Sequence, residues 1–171
     1  MLDARMVGDA AVMLGAGRRV KADQVDPRVG IELVAKMGDE IQADIVWQPF
    51  ELNPKMPPEG QDIAEHVAQK YGASAASSAK TRGHIAALGE SLGFTFNNAP
   101  GKRIYNTFHA HILLHWALEH HGIAHQSALK MALFTAYFQD NQDVSQEHIL
   151  LNAVKDAGLD VEAARAVLND P

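Results

Sequence analysis

The run Ile45-Val46-Trp47-Gln48-Pro49-Phe50-Glu51-Leu52-Asn53-Pro54-Lys55-Met56-Pro57-Pro58-Glu59-Gly60 decides how the chain is read. It begins as a strand and ends as a stiff, proline-paced turn. Four of the seven prolines lie between Pro49 and Pro58. Each fixes φ at about −65° and removes a backbone donor, so a buried strand over residues 43–48 cannot continue past Pro49. Upstream, Asp26-Pro27 opens a helix, with Asp26 as N-cap and Pro27 in the first turn. Val29, Leu33, Val34 and Met37 give that helix an apolar stripe and Gly38 a place to stop, so a helix over 27–37 leads into the strand. Ala10-Ala11-Val12-Met13-Leu14 reads either as a second short strand or as a weak helix. The Gly15-Ala16-Gly17 that follows is a plain loop, because the third glycine of a dinucleotide fingerprint is replaced by Val20.

Downstream of Gly60 the pattern is helical. Asp62 caps a helix to Tyr71 that stops at Gly72, and Ser74 opens a second to Leu92, closed by Gly93. Phe94-Thr95-Phe96 is a weak strand candidate before the turn Asn97-Asn98-Ala99-Pro100-Gly101. Asn106 or Thr107 caps a third, very apolar helix to His120, stopped by Gly122. A fourth runs from Ser127 to Gln139 with Leu129, Ala132, Leu133, Ala136 and Tyr137 inward. Ser145 caps a helix over 146–157, and Asp160 caps a last one to Asn169.

The totals narrow the function. A chain of 171 residues is a single structural unit with room for a core. It has no cysteine, which removes disulfides, thiolate metal sites and cysteine nucleophiles. A net charge of −6 disfavours nucleic acid and anionic membranes as partners. No apolar run reaches the roughly 20 residues that cross a bilayer, and Asp3 and Asp9 interrupt any signal peptide. A cytoplasmic location is expected.

Residue order says more than periodicity. The run Trp47 to Gly60 resembles the proline-rich segment of the DsbA-like thioredoxin-fold family, in particular its FrnE-type subgroup. Lys70-Tyr71-Gly72, Gly93-Phe94-Thr95-Phe96, Tyr105-Asn106-Thr107-Phe108-x-Ala110-His111, Ala136-Tyr137-Phe138, Asp143, Leu150 and Ala157-Gly158-Leu159-Asp160 resemble further marks of that subgroup, in the same order. The likeness runs from about Gly30 to Pro171 and implies an α/β thioredoxin-like fold with a large helical insert. Residues 1–52 would be a partial thioredoxin-like β(α)β start, and 53–171 the helical insert. With so little sheet, the protein is expected to be mostly α, with an open strand edge near Trp47 that favours self-association.

The resemblance implies thiol–disulfide oxidoreductase chemistry by a Cys-x-x-Cys pair at a helix N-terminus, where the helix dipole stabilises a thiolate. The family's dithiol corresponds to about Gln24, Val25, Asp26 and Pro27, none of which is cysteine. The family's cis-proline loop, later strands and closing helix have no counterpart before Pro171, so a truncated gene product, a fragment or an altered reading frame ahead of Gly30 is expected. A catalytically incompetent oxidoreductase relative is the first expectation. A relative of glutathione-dependent isomerases, such as the 2-hydroxychromene-2-carboxylate isomerases, is the second. The third is a non-catalytic helical module that binds a protein or peptide or associates with itself.

The resemblance places Asn106, Thr107 and His111 beside the family's active-site groove. The plainer alternative makes Asn106 or Thr107 an N-cap and His111 a packed core residue. Asp26 is read as a cap. His111 and His115 at i, i+4, with Glu119 a turn on, share a helix face, yet lack a separate fixed ligand. No metal and no cofactor is expected.

Overall fold

The computed structural model describes residues 10–14, 18–21, 43–72, 74–91 and 93–170. Among the described residues three strands come first: β1 (Ala10–Leu14), β2 (Arg18–Lys21) and β3 (Ala43–Trp47), in the spatial order β2-β1-β3. Both pairings are antiparallel, with Leu14 opposite Arg18 across the hairpin and Val12 opposite Ile45. β1 and β3, the two strands of the expected β(α)β start, are thus antiparallel neighbours. The helix expected over 27–37, and with it Gln24, Val25, Asp26 and Pro27, lies outside the described residues.

Among the described residues six α-helices follow: α1 (Ile63–Tyr71), α2 (Ala75–Ser91), α3 (Phe108–His121), α4 (Ile123–Phe134), α5 (Glu147–Asp156) and α6 (Val161–Asn169). Local chemistry sets most of their ends. Asp62 accepts from the amides of Ala64 and Glu65 at 2.9 and 3.0 Å, and Asp160 from Ala163 at 2.8 Å. Gly72 ends α1 in the left-handed conformation. A two-residue ladder, β4 (Gln61–Asp62) with β5 (Arg103–Ile104), ties the start of α1 to the approach of α3.

Three expectations need correcting. The fourth helix begins at Ile123, not Ser127: Gly122, at φ +84°, closes α3 and opens α4, so no loop separates them. Its C-terminal end, residues Thr135–Gln139, widens into a π turn, where the Asp140 amide reaches back to the Thr135 carbonyl at 3.0 Å. Phe94 to Phe96 form no strand. Their rings pack edge-on against each other and against Phe138, while the Asn97 amide bonds the Phe138 carbonyl at 2.8 Å. Finally, Gln146 is the N-cap of α5, and Ser145 instead bonds Asp143.

The core lies between α3, α4, α5 and α6. Leu113, Leu129, Leu150, Val154 and Ala164 are fully buried there. Helix α3 is the central one, with Ala110, Leu113, Leu114, Trp116 and Ala117 all buried, which is why its sequence is apolar around most of its circumference.

Candidate functional site

The site grows from the end of β3. Past Trp47 the prolines turn the chain across α3 and α4 in two successive tight turns, with the Met56 amide bonded to the Asn53 carbonyl at 3.0 Å and Gly60 to Pro57 at 2.8 Å. Met56 anchors this segment by its buried side chain, and Lys70 holds the Asn53 side chain at 2.8 Å. Phe50, Leu52 and Asn53 are thereby laid over the helices.

Gln126 fixes the other end of the same segment. Its side chain in α4 is fully buried. Its Oε1 accepts from the Trp47 amide at 2.9 Å, and its Nε2 donates to the Trp47 carbonyl at 2.8 Å and the Leu114 carbonyl at 3.2 Å. One side-chain amide thus does at Trp47 what a neighbouring strand would do. The outer edge of β3, expected to be open there, is closed by a helix residue. The Trp47 indole adds a bond to Ser127 at 3.3 Å.

Between these elements lies a pocket of about 90 Å³. Phe50, Leu52 and Asn53 form one wall, Ala110, His111 and Leu114 of α3 another, and Lys130, Leu133 and Phe134 of α4 a third. Tyr105, Thr107 and Tyr137 complete it. The lining is mostly apolar, with a few polar groups converging on it, as ligand pockets generally are.

Those polar groups are strongly perturbed. Lys130 is 5% exposed, with its ammonium 4.9 Å from the ring centre of Phe134 and 5.5 Å from that of Trp47. No hydrogen bond or ion pair joins that ammonium to any described residue. Burial lowers its pKa to about 8. His111 is lowered to about 4, first by burial and then by the nearby Lys130 charge, against a hydrogen bond with the Phe50 backbone that favours the cation. The imidazole is therefore neutral at pH 7. Burial raises the Tyr137 phenol, with Tyr105 adding to it, and that hydroxyl donates to the Arg103 carbonyl at 2.9 Å.

Of the residues singled out from sequence, Thr107 and His111 line the pocket. Asn106 stands beside it. It precedes Thr107, the N-cap of α3, accepts from the Phe108 amide at 2.8 Å, and donates to Glu51 at 3.0 Å. His115 and Glu119 are exposed on α3 while His111 is turned inward, and no three His, Asp or Glu side chains among the described residues converge on a metal-sized site. Sequence reading missed Gln126 and Lys130. The signal was available: both share the helix face of the buried Leu129 and Leu133, at i, i+3, i+4 and i+7, and a polar residue in such a stripe must find a partner or line a cavity. Among the described residues no helix is long and apolar enough to cross a membrane.

Comparison with known proteins agrees with this geometry. Residues 28–171 match the DSBA-like thioredoxin domain family. Residues 1–47 also match the pyrimidine nucleoside phosphorylase C-terminal domain family, so the start of the chain is similar to a second, unrelated module. No curated protein matches the chain. Among solved structures, a probable DsbA oxidoreductase from Streptomyces coelicolor is similar, with a TM-score of 0.65 and 29% identity over 72% of this chain. The match covers 52% of that protein, so this chain spans about half its length. With the larger part of its sequence matched and the same thioredoxin-like architecture in its neighbour, the chain belongs to the DSBA-like thioredoxin domain family.

Proposed function

We propose that this chain is a FrnE-type member of its family that binds ligands without exchanging thiols. Disulfide exchange needs a thiolate to attack a disulfide sulfur, and the chain contains no cysteine. The observation that carries the reading is the pocket under Phe50, bounded by α3 and α4. It is concave, largely apolar and held by buried hydrogen bonds at Gln126, so its shape does not depend on a dithiol. Phe50 is 45% exposed at its rim and offers apolar surface to an incoming peptide or small molecule. A cysteine-free chain suits a reducing, cytoplasmic setting.

An insulin-reduction assay tests the first half of the proposal, and no turnover above buffer is expected. Turnover by this chain would overturn it. Ligand-observed NMR with short apolar fragments tests the second half. Saturable binding that is lost when Leu133→Trp fills the pocket is expected. Failure of every fragment to bind, or glutathione binding of the isomerase kind in calorimetry, would overturn it.

A further inference from the structure

We propose that the pocket takes a short aliphatic carboxylate, with its carboxylate group against Lys130 and its chain leading out past Phe50. This rests on the binding reading above and names the chemistry of the ligand.

Lys130 points to the charge of that ligand. It is 95% out of solvent, yet no carboxylate or other hydrogen-bond acceptor among the described residues meets its ammonium, which lines the pocket instead. A buried ammonium is normally paired, because desolvating an ion is expensive. The two aromatic faces of Trp47 and Phe134 offset part of that cost without neutralising it. Besides Lys130, the titratable residues that line the pocket are His111 of α3, Tyr105 and Tyr137. His111 is held neutral, and both phenols are held in their protonated form. The pocket therefore contains one uncompensated positive charge, with the hydroxyls of Tyr105 and Thr107 on its lining as further donors for an anion's remaining lone pairs.

The cavity points to the ligand's size and body. About 90 Å³ is roughly three water volumes, which suits a carboxylate with its first one or two methylenes. Beyond that, Leu133, Phe134 and the exposed ring of Phe50 provide an apolar track to solvent. A phosphate dianion would leave its second charge and its third oxygen in an apolar wall.

The test is a titration of the full chain with butyrate, hexanoate and the neutral butyramide at pH 7. It is followed by Trp47 fluorescence and by the ¹³C resonance of the Lys130 ε-carbon. Saturable binding of butyrate is expected, tighter still for hexanoate, with butyramide weaker by about tenfold or more. In Lys130→Met the preference for the acid over the amide should vanish, while the variant stays folded by circular dichroism. Equal affinity for butyrate and butyramide, or undiminished butyrate binding by Lys130→Met, would overturn the carboxylate assignment and leave the binding reading standing. A shift of the Lys130 ε-carbon absent at saturating butyrate would also overturn the assignment, whatever the variant does. No binding of any of the three probes would overturn both.

Discussion

Replacing Gln126 with leucine isolates what the buried amide contributes. The substitution keeps the volume of the side chain and removes three hydrogen bonds, at 2.8, 2.9 and 3.2 Å. It leaves the Trp47 N–H and C=O without partners in a site where Trp47 is 7% exposed. Each orphaned group costs about 1–3 kcal/mol, and the added apolar burial returns about 1 kcal/mol. The Leu114 carbonyl loses less, because it lies in a helix and keeps its backbone environment. The net loss is about 2–4 kcal/mol, a large part of the roughly 5–15 kcal/mol that holds a typical domain together. In urea this moves the unfolding midpoint down by about 1–2 M. The assay is equilibrium urea unfolding followed by tryptophan fluorescence at pH 7. Gln126→Glu adds a second reading. Its carboxylate still accepts from the Trp47 amide but cannot donate to the carbonyl, and it buries a charge. It should be worse than leucine at pH 7 and recover in part as acid restores a donor proton. An unchanged midpoint for Gln126→Leu would refute the idea that this residue replaces a strand at Trp47.

Lys130→Met should stabilise the protein by about 1–3 kcal/mol at pH 7, after allowing for the lost contacts with the two rings. In the native chain the folded state releases this proton near pH 8, well before the unfolded state at 10.5, so stability rises with pH across that window, and in the variant this rise should be absent from thermal unfolding curves. His111 works at the acid end. Its pKa falls from 6.5 to about 4 on folding, so the unfolded state takes up the proton first and stability is lost as pH drops from 6.5 towards 4, by up to about 3 kcal/mol. Urea midpoints measured between pH 4 and 7 should show this slope in the native chain and a flatter one in His111→Gln. Gly60→Ala should cost about 2–4 kcal/mol, because φ is +70° and the new methyl would collide with the Ile104 carbonyl oxygen. Gly72→Ala, at φ +62° with nothing within 4 Å, should cost only about 1 kcal/mol, and calorimetric melting of the pair separates collision from backbone strain.

What the sequence revealed follows the range of each interaction. The caps at Asp62 and Asp160 and the stops at Gly72 and Gly158 act within four residues, so a local reading finds them. The ordered motifs from Trp47 onward carried the family, and the matched span bears that out. Two of the three bonds of Gln126 go to Trp47, 79 residues away on a strand backbone, and no local pattern encodes that distance. Lys130 escaped for a related reason. A lysine beside Leu129 reads as the edge of an amphipathic face, until Trp47 and Phe134 cover it in three dimensions. Thr107 and His111 were legible as a pair at a helix start, but the pocket they face is made by residues from four other segments. The antiparallel pairing of β1 with β3 was hidden because both orders expose the same alternation along a strand.

The π turn over Thr135–Gln139 has a consequence for how this chain tolerates change in length. A π turn is an α-helical turn holding one surplus residue. Deleting a single residue there would let α4 continue with ordinary pitch, and every position after it would rotate by about 100° around the helix axis. The Tyr137 hydroxyl would swing off the Arg103 carbonyl, and Phe138 would leave the cluster of Phe94, Phe96 and Phe134. Asn97, which bonds the Phe138 and Gln139 carbonyls, would lose both acceptors. The helix itself would gain regular hydrogen bonds while one wall of the pocket disappeared. A homologue one residue shorter at this turn would thus be recognisable by the joint absence of Tyr137, the trio Phe94, Phe96 and Phe138, and Asn97, five positions spread over 45 residues that a single codon holds together.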